Sequence, residues 1–429
     1  MSLLLIKNGR VINPATNLDA KRDILIENGK IVKISSRVKG QGAREIEAKG
    51  LLVLPGLIDL HTHLRDPGRP DKETIFSGTR AAAKGGFTSI CCMANTEPAI
   101  DNPAVVKYVR HKAESDGVVN VYPVAAVTKG LKGETLAEMG LMLEEGAVAF
   151  SDDGQPVMQA DMMRRAVEYA SQFDAPIISH CEDKSLAQGG VMNEGALSTE
   201  IGLPGIPAIA EEIMVARDIM LAREFGRVHI AHVSTAGSVE LIRQAKRRGI
   251  AVTCETCPHY FSLTEEAVRN YDTNAKVNPP LRSKADVKAI IRGLKDGTID
   301  VIATDHAPHN VEVKNVEFNQ AAFGLVGLET ALALVLTKLV ESKELTLKKA
   351  IEKMTVGPAK VLGLSKGSLK IGTSADVIIV DPQAEWQVDA SQFASKSRNT
   401  PFNGWKLKGK VFYTIVGGKV VVRDGKLVV

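Results

Sequence analysis

A chain of 429 residues, 44% hydrophobic and 24% charged, has ordinary globular proportions, which exclude a fibrous repeat or a largely disordered polypeptide. Its net charge of +4 is small for that length, and no Lys/Arg stripe interleaved with aromatics accompanies it, so no nucleic-acid partner is expected. No apolar stretch is long enough to span a bilayer, and the opening MSLLLIKNGRVIN has no basic-then-apolar leader pattern; a soluble, cytoplasmic protein without membrane contact is the expectation.

The first 55 residues alternate short apolar runs with turn signals: LLLIKNGRVIN, DILIENGKIVKIS, GLLVLPG. Asn8-Gly9 and Asn28-Gly29 are hairpin dipeptides between alternating strands. The last stretch repeats this character in GSLKIGTSADVIIVDP and KVFYTIVGGKVVVRDGKLVV. The two ends are therefore expected to pair into one small β-sandwich, residues 1–55 and 363–429, around a central unit of residues 56–362.

In that central unit, eight apolar runs read as strands: GLIDLHTH, FTSICCMAN, VNVYPVAAV, AVAFSDD, PIISHCE, RVHIAHVS, AVTCETCPH and VIATDHAP. Segments of helical period lie between them, such as ETIFSGTRAAAKGG, AVVKYVRHKAES, DMMRRAVEYASQF, SVELIRQAKRRG and KADVKAIIRGLKDG. Eight such alternations predict an α/β fold, a (β/α)8 TIM-like barrel, with functional residues at the carboxyl ends of the strands. The five cysteines do not make a secreted disulfide framework. Cys254 and Cys257 form a CxxC, but with no second pair at zinc-ribbon spacing they read as reduced, buried small residues.

Polar residues do gather at the predicted strand ends: His61 and His63, Asn95, Asp152 and Asp153, His180, His232, and Asp305 with His306. Residues i and i+2 of a strand point to one side, so His61 and His63 present their imidazoles together. Strand ends that merely turn polar toward water explain asparagine or serine. They do not explain four histidines and two aspartates, a donor set suited to Zn²⁺. Two choices stay open on spacing alone. Asp152 competes with Asp153, since adjacent strand residues face opposite sides, and His229 competes with His232, which lies nearer the strand's carboxyl end.

HTHLRDPG, Asn95, FSDDG, ISHCE, HIAHVST, CPHY, NPPLR and TDHAPH together resemble the bacterial type I dihydroorotases of the amidohydrolase superfamily, over nearly the whole chain. The resemblance implies a zinc-dependent cyclic amide hydrolase that interconverts N-carbamoyl-L-aspartate and (S)-dihydroorotate in pyrimidine synthesis. It implies that His61, His63 and Asp305 bind one zinc, that His180 and His232 complete a second, and that Asp153 bridges them, with one or two ions bound. Many relatives bridge with a carboxylated lysine, which AFSDDG lacks. Asp305 would be the catalytic proton shuttle. His63, Arg65, Asn95, Asn278 and His309 would bind the substrate, with backbone groups of Phe323 and Gly324 gripping the ring amide.

Arg65 is planar and bidentate, suited to the exocyclic carboxylate that simple hydantoins lack; its bland alternative is a surface ion pair with Asp66 or Glu73. Relatives commonly read APFG where this chain has AAFG, from Ala321 to Gly324. His259 and His306 are expected to be hydrogen bonders behind the ligands, and the charged loop from Asn310 to Gln320 either closes over the site or is an ordinary solvated connection. Self-association is expected by resemblance, as is assembly with aspartate carbamoyltransferase, which some relatives show. The nearest rivals are a hydantoinase or allantoinase on the same barrel and a non-catalytic relative.

Overall fold

The computed structural model describes residues 3–429. The chain opens with β1 (Leu3–Asn13), β2 (Leu18–Glu27), β3 (Lys30–Ser35), β4 (Arg44–Glu47) and β5 (Leu52–Pro55). Asn28 and Gly29 make the tight turn joining β2 to β3, both at positive φ (47° and 79°), as a two-residue hairpin loop requires. Asn8-Gly9 does not make a hairpin. It lies inside β1, where the register with β2 slips between Ile6 and Gly9. A Cβ on Gly9 would stand 2.4 Å from Cγ2 of Val53, so the dipeptide serves as a bulge where a neighbouring strand approaches closely.

The eight predicted strands all form: β6 (Leu57–Thr62), β7 (Phe87–Cys92), β8 (Asn120–Ala125), β9 (Ala149–Phe150) and β10 (Ile177–Ser179), then, after the short ladder of β11 (Met192–Asn193) and β12 (Gly205–Ile206), β13 (Val228–Ile230), β14 (Val252–Thr256) and β15 (Val301–Ile302). Neighbours pair in parallel from β6 round to β15. The ring is nearly closed at the top by a bridge between Thr62 and His306, where the His63 N–H donates to the His306 carbonyl at 2.9 Å. At the bottom, Met354 and Lys353 accept from Ile58 and Ile302, so the gap between first and last strands is filled by backbone.

The five quoted helical segments form Ile75–Gly85, Pro103–Asp116, Ala160–Ser171, Ala236–Arg247 and Lys284–Asp296. The first shows why its bounds fall where they do: the Thr74 side chain accepts from the Ser77 N–H, and Gly86, at φ 86°, ends it. A longer helix, Ile209–Phe225, follows β12. Small and branched side chains fill the barrel interior, with Leu60, Cys91, Val124, Ala149, Ile178, Ala231 and Val301 in one cluster.

The C-terminal strands β16 (Val377–Gln387), β17 (Lys406–Val416), β18 (Lys419–Arg423) and β19 (Lys426–Leu427) join the N-terminal ones, because β16 pairs antiparallel with β5. The two ends thus come together, and where a small sandwich was expected their strands form one nine-stranded sheet. Its alternation divides the core: Val53, Val377 and Ile379 face a small cluster with Ile24 and Ile46, whereas Leu54, Ile378 and Val380 pack into the barrel's outer layer. All five cysteines are free and buried, Cys254 and Cys257 among them. No helix among the described residues is long and apolar enough to cross a membrane.

Candidate metal centre and substrate cavity

His61 lies within β6, and His63, Asn95, Asp152, Asp153, His180, His232 and Asp305 stand one to three residues past the ends of their strands, on the first turn of each following loop. There they meet. A cavity of about 400 Å³ opens at this end, lined by His63, Arg65, Asn95, Asp153, His180, His232, Asn278, Asp305, His309, Phe323 and Gly324. His61, fully buried, lies behind them. Two larger clefts, of about 540 and 560 Å³, lie at the strand starts and against the terminal sheet, but neither brings imidazoles together.

Asp153 is the hub. Its Oδ1 lies 3.4 Å from His61 Nε2, 3.4 Å from His232 Nε2 and 3.6 Å from His180 Nδ1, and its Oδ2 lies 3.4 Å from His63 Nε2. Asp305 Oδ1 stands 3.2 Å from His63 Nε2 and 3.7 Å from His61 Nε2. Two compact donor sets result, His61–His63–Asp305 and His61–Asp153–His232, each within a span that a single metal ion bridges. His180 flanks the second, its Nδ1 2.8 Å from His232 Nε2. His61 Nε2 and Asp153 Oδ1 are buried without a hydrogen-bond partner among the described residues, in the middle of nitrogen and oxygen donors. Imidazole lone pairs and carboxylates converging on orphaned buried atoms fit a divalent cation.

Each donor is aimed from behind. A carboxylate only accepts, so the His61 Nδ1–H donates to Glu255 Oε1 at 2.6 Å and Nε2 is left for the centre. His63 Nδ1 bonds Asn95 Oδ1 at 2.8 Å, and the Asn95 amide in turn donates to the Asp153 carbonyl at 3.3 Å. His180 Nε2 bonds Glu182 Oε2 at 3.3 Å, while Glu182 Oε1 accepts from the Asn278 side chain at 3.1 Å. Burial by itself disfavours charge on His61, but Asp153 and Glu255 outweigh it and raise the imidazole well above its ordinary value. Burial likewise opposes ionisation of Asp305, yet the His63 hydrogen bond and the charges of His61 and His63 hold its carboxyl far below the usual range.

Both sequence ambiguities are decided by position. Asp152 turns away: Val127 and Thr128 N–H groups donate to its Oδ1 at 2.8 and 3.0 Å, making it a tie for the neighbouring loop. His229 sits lower in the barrel, bonded to Thr253 Oγ1 at 2.8 Å and Glu255 Oε2 at 3.4 Å. His232 and Asp305 reach the centre with φ of 33° and 47°, a conformation L-residues adopt sparingly and one that clusters at functional sites.

Arg65, also at positive φ (57°), is half-buried at the rim, with Nη2 3.5 Å from His309 Nε2. It pairs with neither acid proposed from sequence. Asp66 accepts from Tyr108 and the Ile75 N–H, and Glu73 from His306, Ser77 and Ser395. Burial pulls the guanidinium down to about 10, which leaves it charged at neutral pH and without a carboxylate partner among the described residues. Burial, then the charges of Arg65, Lys72 and Lys314, lowers His309 to about 2, so its ring is neutral.

His306 is hydrogen-bonded on both nitrogens, to Glu73 and the Gly327 N–H. His259 differs: both of its ring nitrogens are buried without a partner among the described residues. Gly324 has φ +133°, and an added Cβ would lie 2.8 Å from Cβ of Ala307, so AAFG retains the one residue that fits there. Its N–H donates to the Lys276 carbonyl at 2.9 Å, and its carbonyl accepts from Lys314 and Asn399, both at 3.0 Å. Of the Phe323–Gly324 pair, only Phe323 keeps backbone groups free of these bonds. The loop from Asn310 to Gln320 is not merely solvated, because Lys314 within it is buried. Sequence reading passed over Glu182, Glu255 and Asp59, the last of which accepts from the His61 N–H at 3.2 Å and the Thr304 hydroxyl at 2.5 Å, although charged residues inside the apolar runs ISHCE, AVTCETCPH and GLIDLHTH were the available signal.

Residues 52–421 match the amidohydrolase family, and the chain belongs to it. The dihydroorotase of Acetivibrio thermocellus is 59% identical over 98% of this chain and 99% of its own length. The dihydroorotase of Pelotomaculum thermopropionicum is also 59% identical, over 98% and 99%. Among solved structures, L-hydantoinase (dihydropyrimidinase) from Arthrobacter aurescens superposes with a TM-score of 0.89 at 29% identity, covering 100% of this chain and 98% of that one.

Proposed function

We propose that this chain is a dihydroorotase, closing N-carbamoyl-L-aspartate to (S)-dihydroorotate with loss of water, and reopening it, as a step of pyrimidine synthesis. The observation that carries the reading is Arg65: a charged guanidinium without an acidic partner among the described residues, at the rim of a cavity floored by four histidines and two aspartates. It matches the carboxylate of dihydroorotate, which hydantoin lacks. The fold is shared with the hydantoinases, so the barrel by itself does not choose between them. The relatives named dihydroorotase, similar over nearly the whole chain, support the choice.

His61, His63 and Asp305 would hold one zinc, His180 and His232 a second, and Asp153 would lie between them. Bound zinc supplies a polarised ring carbonyl and a water acidic enough to ionise near neutrality. The chain's own residues do the rest. Arg65, Asn95 and the neutral His309 bind and orient the carboxylate end, and Asn278 and the Phe323 backbone hold the ring amide. Asp305 carries the proton. In ring opening it takes one from the attacking water and delivers it to the departing ring nitrogen. In closure it takes one from the ureido nitrogen of the open chain.

The cytoplasm is the proposed location. Self-association is supported by Ile209, Ile213 and Met220, which lie exposed along one face of helix Ile209–Phe225. Assembly with aspartate carbamoyltransferase rests on the resemblance. The test is ultraviolet-monitored ring opening of dihydroorotate, hydantoin and allantoin by zinc-loaded protein, with and without chelator. Chelator-sensitive turnover of dihydroorotate well above the other two is expected, and no dihydroorotate turnover would overturn the proposal.

A further inference from the structure

The barrel mouth is completed by a piece of chain from outside the barrel. Between β16 and β17 the segment Ala394–Thr400, reading ASKSRNT, runs across the loops after the first and eighth strands. Ser395, Ser397 and Asn399 are buried while Lys396 and Arg398 between them are exposed, the alternation of an extended strap with one face inward. That inward face is polar rather than apolar, so hydrogen bonds and not hydrophobic burial define its seat. Glu329 accepts from the Ala394 and Ser395 N–H groups at 2.7 and 3.1 Å. Glu73 accepts from the Ser395 hydroxyl at 2.5 Å and the Lys396 N–H at 3.1 Å, and the Ser397 hydroxyl donates to the Lys72 carbonyl at 2.7 Å.

Asn399, 4% exposed, ends this series at the cavity. Its Oδ1 accepts from the His309 N–H at 3.1 Å, and its Nδ2 donates to the carbonyls of Ala307 at 3.1 Å and Gly324 at 3.0 Å. Its own carbonyl accepts from the Val326 N–H at 2.9 Å. One side chain therefore fixes the separation between the loop that carries His309 and the turn that carries Phe323 and Gly324. The donor and acceptor ends of the amide are both required: a carboxylate would face two carbonyl oxygens, and an alkyl group would leave the His309 N–H and the Ala307 carbonyl unpaired, with Gly324 keeping only its bond from Lys314.

We infer that Asn399 is a positioning residue of the substrate site, supplied by the C-terminal strap, which sets the spacing of His309 and the Phe323–Gly324 turn around the ring. The inference rests on the proposed dihydroorotase reading, and the wild-type assay tests that reading separately. Asn399→Ala and Asn399→Asp are compared with wild type in steady-state ring opening of dihydroorotate, with bound zinc per chain and melting temperature measured on the same samples.

For both variants KM is expected to rise about tenfold or more while kcat changes by less than about threefold, with zinc content unchanged. Wild-type protein that turns over dihydroorotate while both variants keep KM within about twofold overturns the inference. So does a fall in melting temperature with unaltered KM, which makes the residue structural only, or a loss of zinc in step with activity. Insoluble protein from both variants would also overturn it, by making Asn399 a folding residue. Absence of wild-type turnover would instead fault the underlying assignment.

Discussion

Glu255→Gln isolates the support behind the metal centre. Glu255 is fully buried in the barrel and joins two imidazoles, His61 Nδ1 at 2.6 Å and His229 Nε2 at 3.4 Å. Burial alone would raise its carboxyl, but His61 and His229 outweigh it and bring it to about 2, so the group is a carboxylate at any working pH. Glutamine keeps the shape. Its amide oxygen can still accept from His61 Nδ1–H, and its amide nitrogen can donate to His229 Nε2, whose Nδ1 then donates to Thr253 Oγ1. What is lost is the charge that would make His61 a stronger ligand in the proposed metal centre. A hydrogen bond to a charged group contributes about 1.5–3 kcal/mol, and loss of such outer support weakens metal binding by about 10- to 100-fold. Competition with a chromogenic chelator should therefore show a zinc dissociation constant raised by about that factor, with the fold retained by circular dichroism. A constant within about twofold of wild type would refute the argument that Glu255 tunes His61.

The other expectations follow from two charged groups of the cavity and one buried beside it. Arg65→Lys should raise KM for dihydroorotate by about tenfold or more, because an ammonium cannot reproduce bidentate carboxylate recognition, while zinc content stays at the wild-type level. Asp305→Asn should lower kcat by about 10²- to 10⁴-fold in single-turnover assays of protein confirmed to carry zinc, since it removes the proposed proton carrier. Lys314 is 4% exposed, and burial, then the charge of Lys276, pulls its amine down to about 7 from 10.5. Between those pH values the unfolded chain holds a proton that the native chain has released, so this residue makes stability rise with pH across the window; its penalty is complete below pH 7 and absent above 10.5. Denaturant unfolding from pH 6 to 10 should show that rise, and Lys314→Met should flatten it.

Much of this was legible in one dimension because it depends on local periodicity. The eight strands follow from short apolar runs, the Asn28-Gly29 turn from its need for positive φ, and the shared face of His61 and His63 from a two-residue repeat. The same rule misled at Asn8-Gly9. A dipeptide that tolerates positive φ serves a hairpin or a bulge equally well, and the close approach of Val53 selected the bulge. The barrel expectation grouped the distant donors at one mouth, and the family resemblance added which of them would share each metal ion.

By itself, then, the sequence determined the barrel, the coming together of its two β-rich ends, and the donor types that gather at the strand ends; that those ends form one nine-stranded sheet was decided in three dimensions. Tertiary structure decided among neighbours and supplied partners. Asp153 rather than Asp152 enters the centre because adjacent residues diverge where β9 ends, and His232 rather than His229 because only the residues past the end of β13 reach the mouth. The partners are separated by long stretches of chain: Glu255 behind His61, and Asn399 of the terminal strap beneath His309 and Gly324. No periodicity records such pairs. They arise only when closure of the barrel places one strand's side chain against another's, and the hydrogen bonds that buried polar groups require then select the arrangement.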